Sequence, residues 1–163
     1  MLNFSDNILI LVLLFGIIYI GRSDVIMKNL TLCVALDDAG GMTFCGKRQS
    51  RDRVMLSEMF ATFGTPIYVA PYSVSILTSF AGKYVAADNP AFSAPSGGVV
   101  FLERGSVKAI IDDVETLVIY RWNRKYPSDG KIDIDLSEWR VERATEFVGS
   151  SHDKITKITM KRR

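Results

Sequence analysis

The chain has one histidine and two cysteines among 163 residues. That is too few nitrogen and sulfur ligands for the usual zinc sites, so no metal is expected. Cys33 lies in an apolar stretch and Cys45 in a loop. They form no disulfide framework and read as reduced thiols of a reducing compartment. Neither charge sign is in large excess. A formal net charge of +2 lacks the global basic footprint of a dedicated nucleic-acid binder. No internal repeat or low-complexity segment is visible. The longest apolar run, Ile8 to Ile20, has 13 residues and is interrupted only by Gly16. A membrane-spanning helix needs roughly 20.

What is present is ordinary globular material, 48% hydrophobic and 23% charged, with length for one domain and a core. Residues 1–26 stand apart from it. Three readings are open for this hydrophobic segment. As an anchor through residues 8–20, it would leave the globular part in the cytoplasm, because Arg22 and Lys28 follow it. As an over-extended start, it would precede a chain that begins at Met27. As a signal peptide it is poor, since Met1–Asn7 has no Lys or Arg, carries Asp6, and no small-x-small site follows. Residues 27–163 form the single domain expected in the cytoplasm.

Leu30–Leu36 reads as a buried strand and Asp37–Gly41 as a turn. The spacing predicts a helix from Ser50 to about Thr62. A short strand is expected at Pro66–Ala70, a short helix at Ser73–Phe80 and a third strand at Lys83–Ala87. Asp88–Gly98 is loop. Val99–Glu103 is a strand, and Val107–Val114 a helix with Ser106 as N-cap. Thr116–Trp122 is again a strand. Trp139–Phe147 and Lys154–Met160 then alternate as an antiparallel hairpin does. The whole predicts an α/β three-layer fold, with a mostly parallel sheet and an antiparallel C-terminal hairpin.

Asp52 is the residue that points to a site. The apolar face of its helix runs Leu56, Met59, Phe63, and counting back four from Leu56 reaches Asp52. A carboxylate there, beyond the carboxyl end of a strand, is either a buried cap or a proton-handling group in a cleft. Around it, Lys47, Arg48, Arg51 and Arg53 crowd a helix start that the macrodipole makes unfavourable for cations. An anionic ligand would explain the cost, and a solvated basic loop is the plainer alternative. Trp122-Asn123-Arg124-Lys125-Tyr126 mixes aromatic and basic groups. It reads as a core strand running into a surface turn sooner than as a nucleic-acid contact. His152 reads as a loop residue, because acid–base chemistry wants a pair of titrating groups.

With these parts in order, the sequence resembles the dihydrofolate reductases. Strand one followed by "ALDDAGGM" is similar to the family's first strand and mobile loop. Asp52, 11 residues past Gly41, stands near the spacing of its catalytic acid. The stretch 117–163, with Asp129, "DLSEW", Glu146-Phe147 and a Ser-His loop before a basic end, resembles its C-terminal hairpin. The resemblance implies NADPH-dependent reduction of a dihydropterin or dihydrofolate, with Asp52 as proton donor. It implies substrate contacts at Cys33, Ala35, Phe44, Met55 and Tyr120, and cofactor contacts at Gly41, Tyr72, Ser73, Arg104 and Gly105. Several positions depart from the family pattern. Thr43–Arg48 replaces a Leu-Pro-Trp element. Ala70-Pro71-Tyr72-Ser73 replaces the Gly-Arg and Thr that cradle phosphates. Glu103-Arg104-Gly105 replaces consecutive glycines, and Tyr120 stands near a supporting threonine. Proline has no N–H for a phosphate, and a carboxylate repels one. The rival reading is a non-catalytic protein that binds a small anionic or heterocyclic ligand on the same fold, its cofactor site lost. A third is an RNA-associated protein using Lys47–Arg53.

Overall fold

The structure, a computed structural model, describes residues 10–13, 16–19, 27–64 and 66–163. Ile10–Leu13 (β1) and Gly16–Tyr19 (β2) pair antiparallel as a sheet of their own. The rest of residues 1–26 lies outside the described residues, and with it the anchor, start and signal readings. Among the described residues no helix is long and apolar enough to cross a membrane.

The domain follows as β3 (Leu30–Leu36), β4 (Gly41–Phe44), β5 (Lys47–Arg48), α1 (Arg53–Phe63), β6 (Ile67–Val69) and β7 (Tyr84–Ala86). Then come α2 (Pro90–Ser93), β8 (Val99–Phe101), β9 (Val114–Arg121), β10 (Gly130–Lys131), β11 (Trp139–Phe147) and β12 (Ile155–Arg162). Seven strands make one sheet in the order β11-β12-β9-β3-β8-β6-β7. β3 runs parallel to both its neighbours, β8 and β9, and β6 is parallel to β7 and β8. β12 then enters antiparallel against β9, with Ile158 opposite Ile119, and β11 closes the edge antiparallel to it. This is the expected α/β arrangement, a mostly parallel sheet with an antiparallel C-terminal hairpin.

Side-chain alternation along β3 builds a core on each face. Leu30, Leu32, Val34 and Leu36 join Val100, Leu117, Ile119 and Trp139 on one face. Cys33 points to the other, where Met55, Leu56, Met59 and Phe60 of α1 pack on Ile67, Val69 and Phe101. At roughly 1.5–3 kcal/mol per buried apolar side chain, these stripes hold the layers together. Lys28 fastens the start of β3, its ammonium donating to the carbonyls of Ala91, Phe92 and Ala94 at the end of α2.

Four local expectations change. The first is Asp88–Gly98, expected as loop, which holds α2 because Asn89 caps it and Pro90 opens it. The helix begins at Arg53, three residues after Ser50, because Asp52 is the cap, in extended geometry with its carboxylate accepting from Val54 and Met55. The segments expected as helices at Ser73–Phe80 and Val107–Val114 are 3-10 turns, Pro71–Ile76, Thr78–Phe80 and Lys108–Asp113. Proline, serines and β-branched Val74 and Ile76 hold a short i→i+3 turn better than an α-helix. The stretch after the Asp37 turn is not all loop. β4 pairs with β5 and β10 in a second, three-stranded sheet that folds over the end of β3.

Candidate functional site

Ala35 of β3, Phe101 of β8, Trp122 beyond β9 and the start of α1 meet at the carboxyl ends of the parallel strands. Ligands of open α/β sheets sit at such ends. Arg48, Gln49, Asp52, Met55 and Glu103 line the same cleft. Its free volume is only about 10 Å³, room for one water.

Asp52 is fully buried. Oδ1 accepts from the N–H groups of Val54 and Met55, both at 3.0 Å. Oδ2 accepts from the Ser151 N–H at 2.7 Å, and the Ser151 hydroxyl and His152 Nδ1 lie at 3.0 and 3.3 Å. Burial by itself would raise the acid's pKa. The backbone N–H groups of Ser150, Ser151 and Met55, with His152, outweigh that and hold the carboxyl well below the usual carboxylate range. Asp52 therefore caps α1 and ties it to the loop between β11 and β12. Gly149 permits the approach, since a Cβ there would stand 2.4 Å from Oδ2.

His152 is in that loop, as expected, but it is 5% exposed and not free. Its ring stacks on Trp122, with centroids 4.6 Å apart and planes within 14°. Nε2 lies 2.9 Å from the Tyr126 hydroxyl. A carboxylate can only accept, so a hydrogen bond between Nδ1 and Asp52 places a proton on Nδ1. The aromatic–basic stretch after β9 thus turns Trp122 and Tyr126 inward onto His152. Asp37, also buried, accepts from Ala39, Gly41, Gln49 and Tyr126 and clasps the same loops.

Ala35, Asp52 and Met55 line one cleft. Three other expected substrate residues lie elsewhere. Cys33 is buried beneath α1, where burial pushes its thiol pKa far up. Tyr120 is buried too, its hydroxyl donating to Glu58 at 2.8 Å. Phe44, at the end of β4, is 48% exposed. Strand periodicity explains the first two, which lie on the α1 face below the cleft. Arg48, Gln49, Glu103 and the Ser151-His152 pair are site residues that the sequence left unassigned to the cleft. The doublet Glu103-Arg104, a charge placed just beyond a buried strand, was the available signal.

Of the expected cofactor residues, Tyr72, Ser73 and Arg104 gather around Arg48 and Glu103, which also line the cleft. Arg48 Nε lies 2.9 Å from Glu103 Oε1, and its Nη2 is 3.2 Å from Oε2. The Ser73 hydroxyl donates to Oε2 at 2.6 Å. The guanidinium of Arg104 covers the Tyr72 ring at 3.9 Å, and that of Arg48 at 4.4 Å. Gly41 is held by its N–H to Asp37, and Gly105 has a φ of +102° with open space around it. NADPH does not fit these groups. Pro71 opens the 3-10 turn without an N–H, the Ser73 N–H is spent on Ala70, and the Ser73 hydroxyl on Glu103. Glu103 would face the phosphates as a buried carboxylate, whose pKa burial raises against the pull of Ser73 and Arg48.

Beside the cleft runs a roomier groove of about 280 Å³, between α1 and the 3-10 turns. Leu56, Ile76 and Phe80 give it apolar walls, Ser57, Thr78 and Ser79 hydroxyls, and Arg51 and Arg53 charge. Among the described residues neither arginine has an ion-pair partner. A larger depression of about 570 Å³ near the far end of α1 has its central charges paired, with Lys157 2.7 Å from Glu58. No group of three or more metal-binding side chains occurs among the described residues.

No protein-family model matches the chain, and no curated protein matches it in sequence. Its fold has a solved counterpart. A dihydrofolate reductase from Enterococcus faecalis, in complex with NADP(H) and RAB-propyl, superposes with a TM-score of 0.60. The match covers 84% of this chain and 98% of that one at 15% identity. The chain has a dihydrofolate reductase-like fold.

Proposed function

We propose that this protein uses a dihydrofolate reductase-like fold to bind a small anionic, heterocyclic ligand in the groove between α1 and the 3-10 turns, without NADPH-dependent turnover. The observation that carries this reading is Arg51 and Arg53 on the rim of an apolar groove, neither with an ion-pair partner among the described residues. A flat, apolar ligand body would cover Ile76 and Phe80, and its anionic end would meet the guanidinium groups. Two features argue against proton-coupled reduction here. Asp52 is held ionised by its donors and has no proton to give near neutral pH. Of the residues that would meet a dinucleotide, Ser73 is spent on Glu103 and Arg104 lies on the Tyr72 ring.

The reductase reading keeps one observation in its favour, that Asp52 lines the cleft of a fold whose solved counterpart was in complex with NADP(H). The two readings part in one experiment. Folate, a heterocycle with an anionic tail, is titrated against tryptophan fluorescence, which Trp122 makes sensitive to the cleft. Binding is expected, and Arg51→Gln with Arg53→Gln should weaken it about tenfold, close to 1.4 kcal/mol. No NADPH oxidation with dihydrofolate is expected. Oxidation by the purified protein, lost in Asp52→Asn, would restore the reductase.

A further inference from the structure

We infer that the face of the β11–β12 hairpin beside the second half of α1 binds a small saccharide carrying one acidic group, with Arg143 as partner of the acid and Thr116, Thr145 and Thr159 as partners of the sugar hydroxyls. This depression shares no lining residue with the cleft or with the groove of Arg51 and Arg53. It stands whether or not that groove binds a ligand.

Charge singles out Arg143. Among the described residues, every other cation of β11 and β12 has an ion-pair partner. Arg140 is paired with Glu142, Lys157 with Glu58, Lys161 with Glu115 and Arg162 with Asp112. Arg143 is exposed and has none. Its position depends on an irregularity. β11 carries an extra residue between Val141 and Arg143, so Val141 stands opposite Met160 and Arg143 opposite Thr159. In unbroken register Glu142 would stand opposite Thr159, and Arg143 would face the other side of the sheet with Ile158. The bulge sets a guanidinium where a carboxylate would otherwise be.

The hydroxyls define the rest of the ligand. Thr145 stands opposite Lys157, as Arg143 does opposite Thr159. These four make a square, with cations on one diagonal and hydroxyls on the other. Lys157 is already neutralised, donating to Glu58 and Thr62, both at 2.7 Å, and lying over the Phe63 ring. Thr116 of β9 extends the floor to a third strand. Among the described residues Thr116, Thr145 and Thr159 make no side-chain hydrogen bond. The depression measures about 570 Å³, a usual size for a small-molecule site. Arg143 and Thr145 are roughly 7 Å apart along their strand, and β9 lies roughly 10 Å from β11. A bare inorganic anion on Arg143 would span no farther than Thr159. The other hydroxyls call for a ligand with polar groups at those distances from its charge. A threonine hydroxyl both donates and accepts, as a sugar hydroxyl does. Phe63 and Val118 offer apolar contact to the C–H face of a sugar ring.

Glucose 6-phosphate and glucuronate are the probes, each titrated into the full chain by isothermal calorimetry. Millimolar or tighter binding of at least one is expected, and their ratio tells whether a phosphate or a carboxylate is preferred. Glucose and inorganic phosphate should each bind at least about tenfold more weakly than that acidic sugar. Arg143→Gln should lose the binding and keep the thermal midpoint, because an exposed side chain without an ion pair is removed. Thr145→Val with Thr159→Val should weaken binding about tenfold, and valine keeps the strands. Arg51→Gln with Arg53→Gln should bind the acidic sugar as wild type does. Absence of binding by both acidic sugars overturns the site, and so does unchanged binding in Arg143→Gln. Inorganic phosphate bound as tightly as glucose 6-phosphate overturns the saccharide. Binding lost in the Arg51 and Arg53 variant and kept in Arg143→Gln belongs to the groove and overturns the site as well. A failure of folate to bind bears on the groove alone.

Discussion

Asp52 is one carboxylate with two duties, and both are structural. It caps α1, and it reaches across 99 residues of sequence to the Ser151 N–H. Asn is nearly isosteric, but it puts an N–H₂ or a weaker acceptor where at least three donors converge. Asp52→Asn should lower unfolding free energy by about 2–3 kcal/mol, measured by urea denaturation. An unchanged midpoint would mean that the acid is not the tether described. The sign of its pH dependence follows from a depressed folded pKa. The stabilisation is fully present above the unfolded value of roughly 4 and is lost as pH falls through the folded value. A wild-type denaturation midpoint that drops steeply below about pH 4, and a flatter curve in Asp52→Asn, are expected. The position of Asp52 on the inward face was legible from the i, i+4 count. Its donors were not, because a loop a hundred residues away leaves no local trace in the sequence around the acid.

At the scale of elements, the loop joining β11 and β12 does what a longer active-site segment would do. It brings Gly149, Ser151 and His152 against the start of α1. Gly149→Ala places a methyl 2.4 Å from Asp52 Oδ2 and 2.7 Å from Ile155 Cδ1. A destabilisation of about 1–3 kcal/mol is expected from overpacking, with Trp122 emission shifted as the His152 stack loosens. Met59→Ala in α1, fully buried, should cost about 2–5 kcal/mol, measured by urea denaturation. Most strands were readable because each carries its own period. β11 was read with both its ends, and β3 as a continuous apolar run. The two-residue strands β5 and β10 have no period to read. Their pairing with β4 is fixed by the Asp37 turn and the packing of Gly41 against Gln49 and Ser128. The 3-10 turns were misjudged for a related reason, since a few apolar positions cannot distinguish three residues per turn from 3.6.

At the scale of the molecule, the domain core begins at Leu30, and Lys28 is already engaged with α2. A chain trimmed to residues 27–163 should be soluble and match the full chain in denaturation midpoint. A large loss on trimming would show that the first 26 residues pack on the domain. Sheet order was legible only in outline, as parallel strands followed by a hairpin. That β12 lies inside the sheet, with β11 outside it, depends on which neighbour each strand face needs, and periodicity alone does not carry this.

The placement of β12 has a consequence for how the protein is made. It is the last of the seven strands to leave the ribosome, yet it is the one that joins β9 to β11. Until it emerges, β9 presents an open edge, β11 has no partner, and the loop that holds Asp52 cannot close. The cleft is therefore assembled only once β12 has emerged, through contacts far apart in sequence, and folding should be slow for a domain of this size. Nascent chains stalled before Ile155 should be cut readily by protease throughout β9 and α1, and chains in which β12 is free to pair should protect both together.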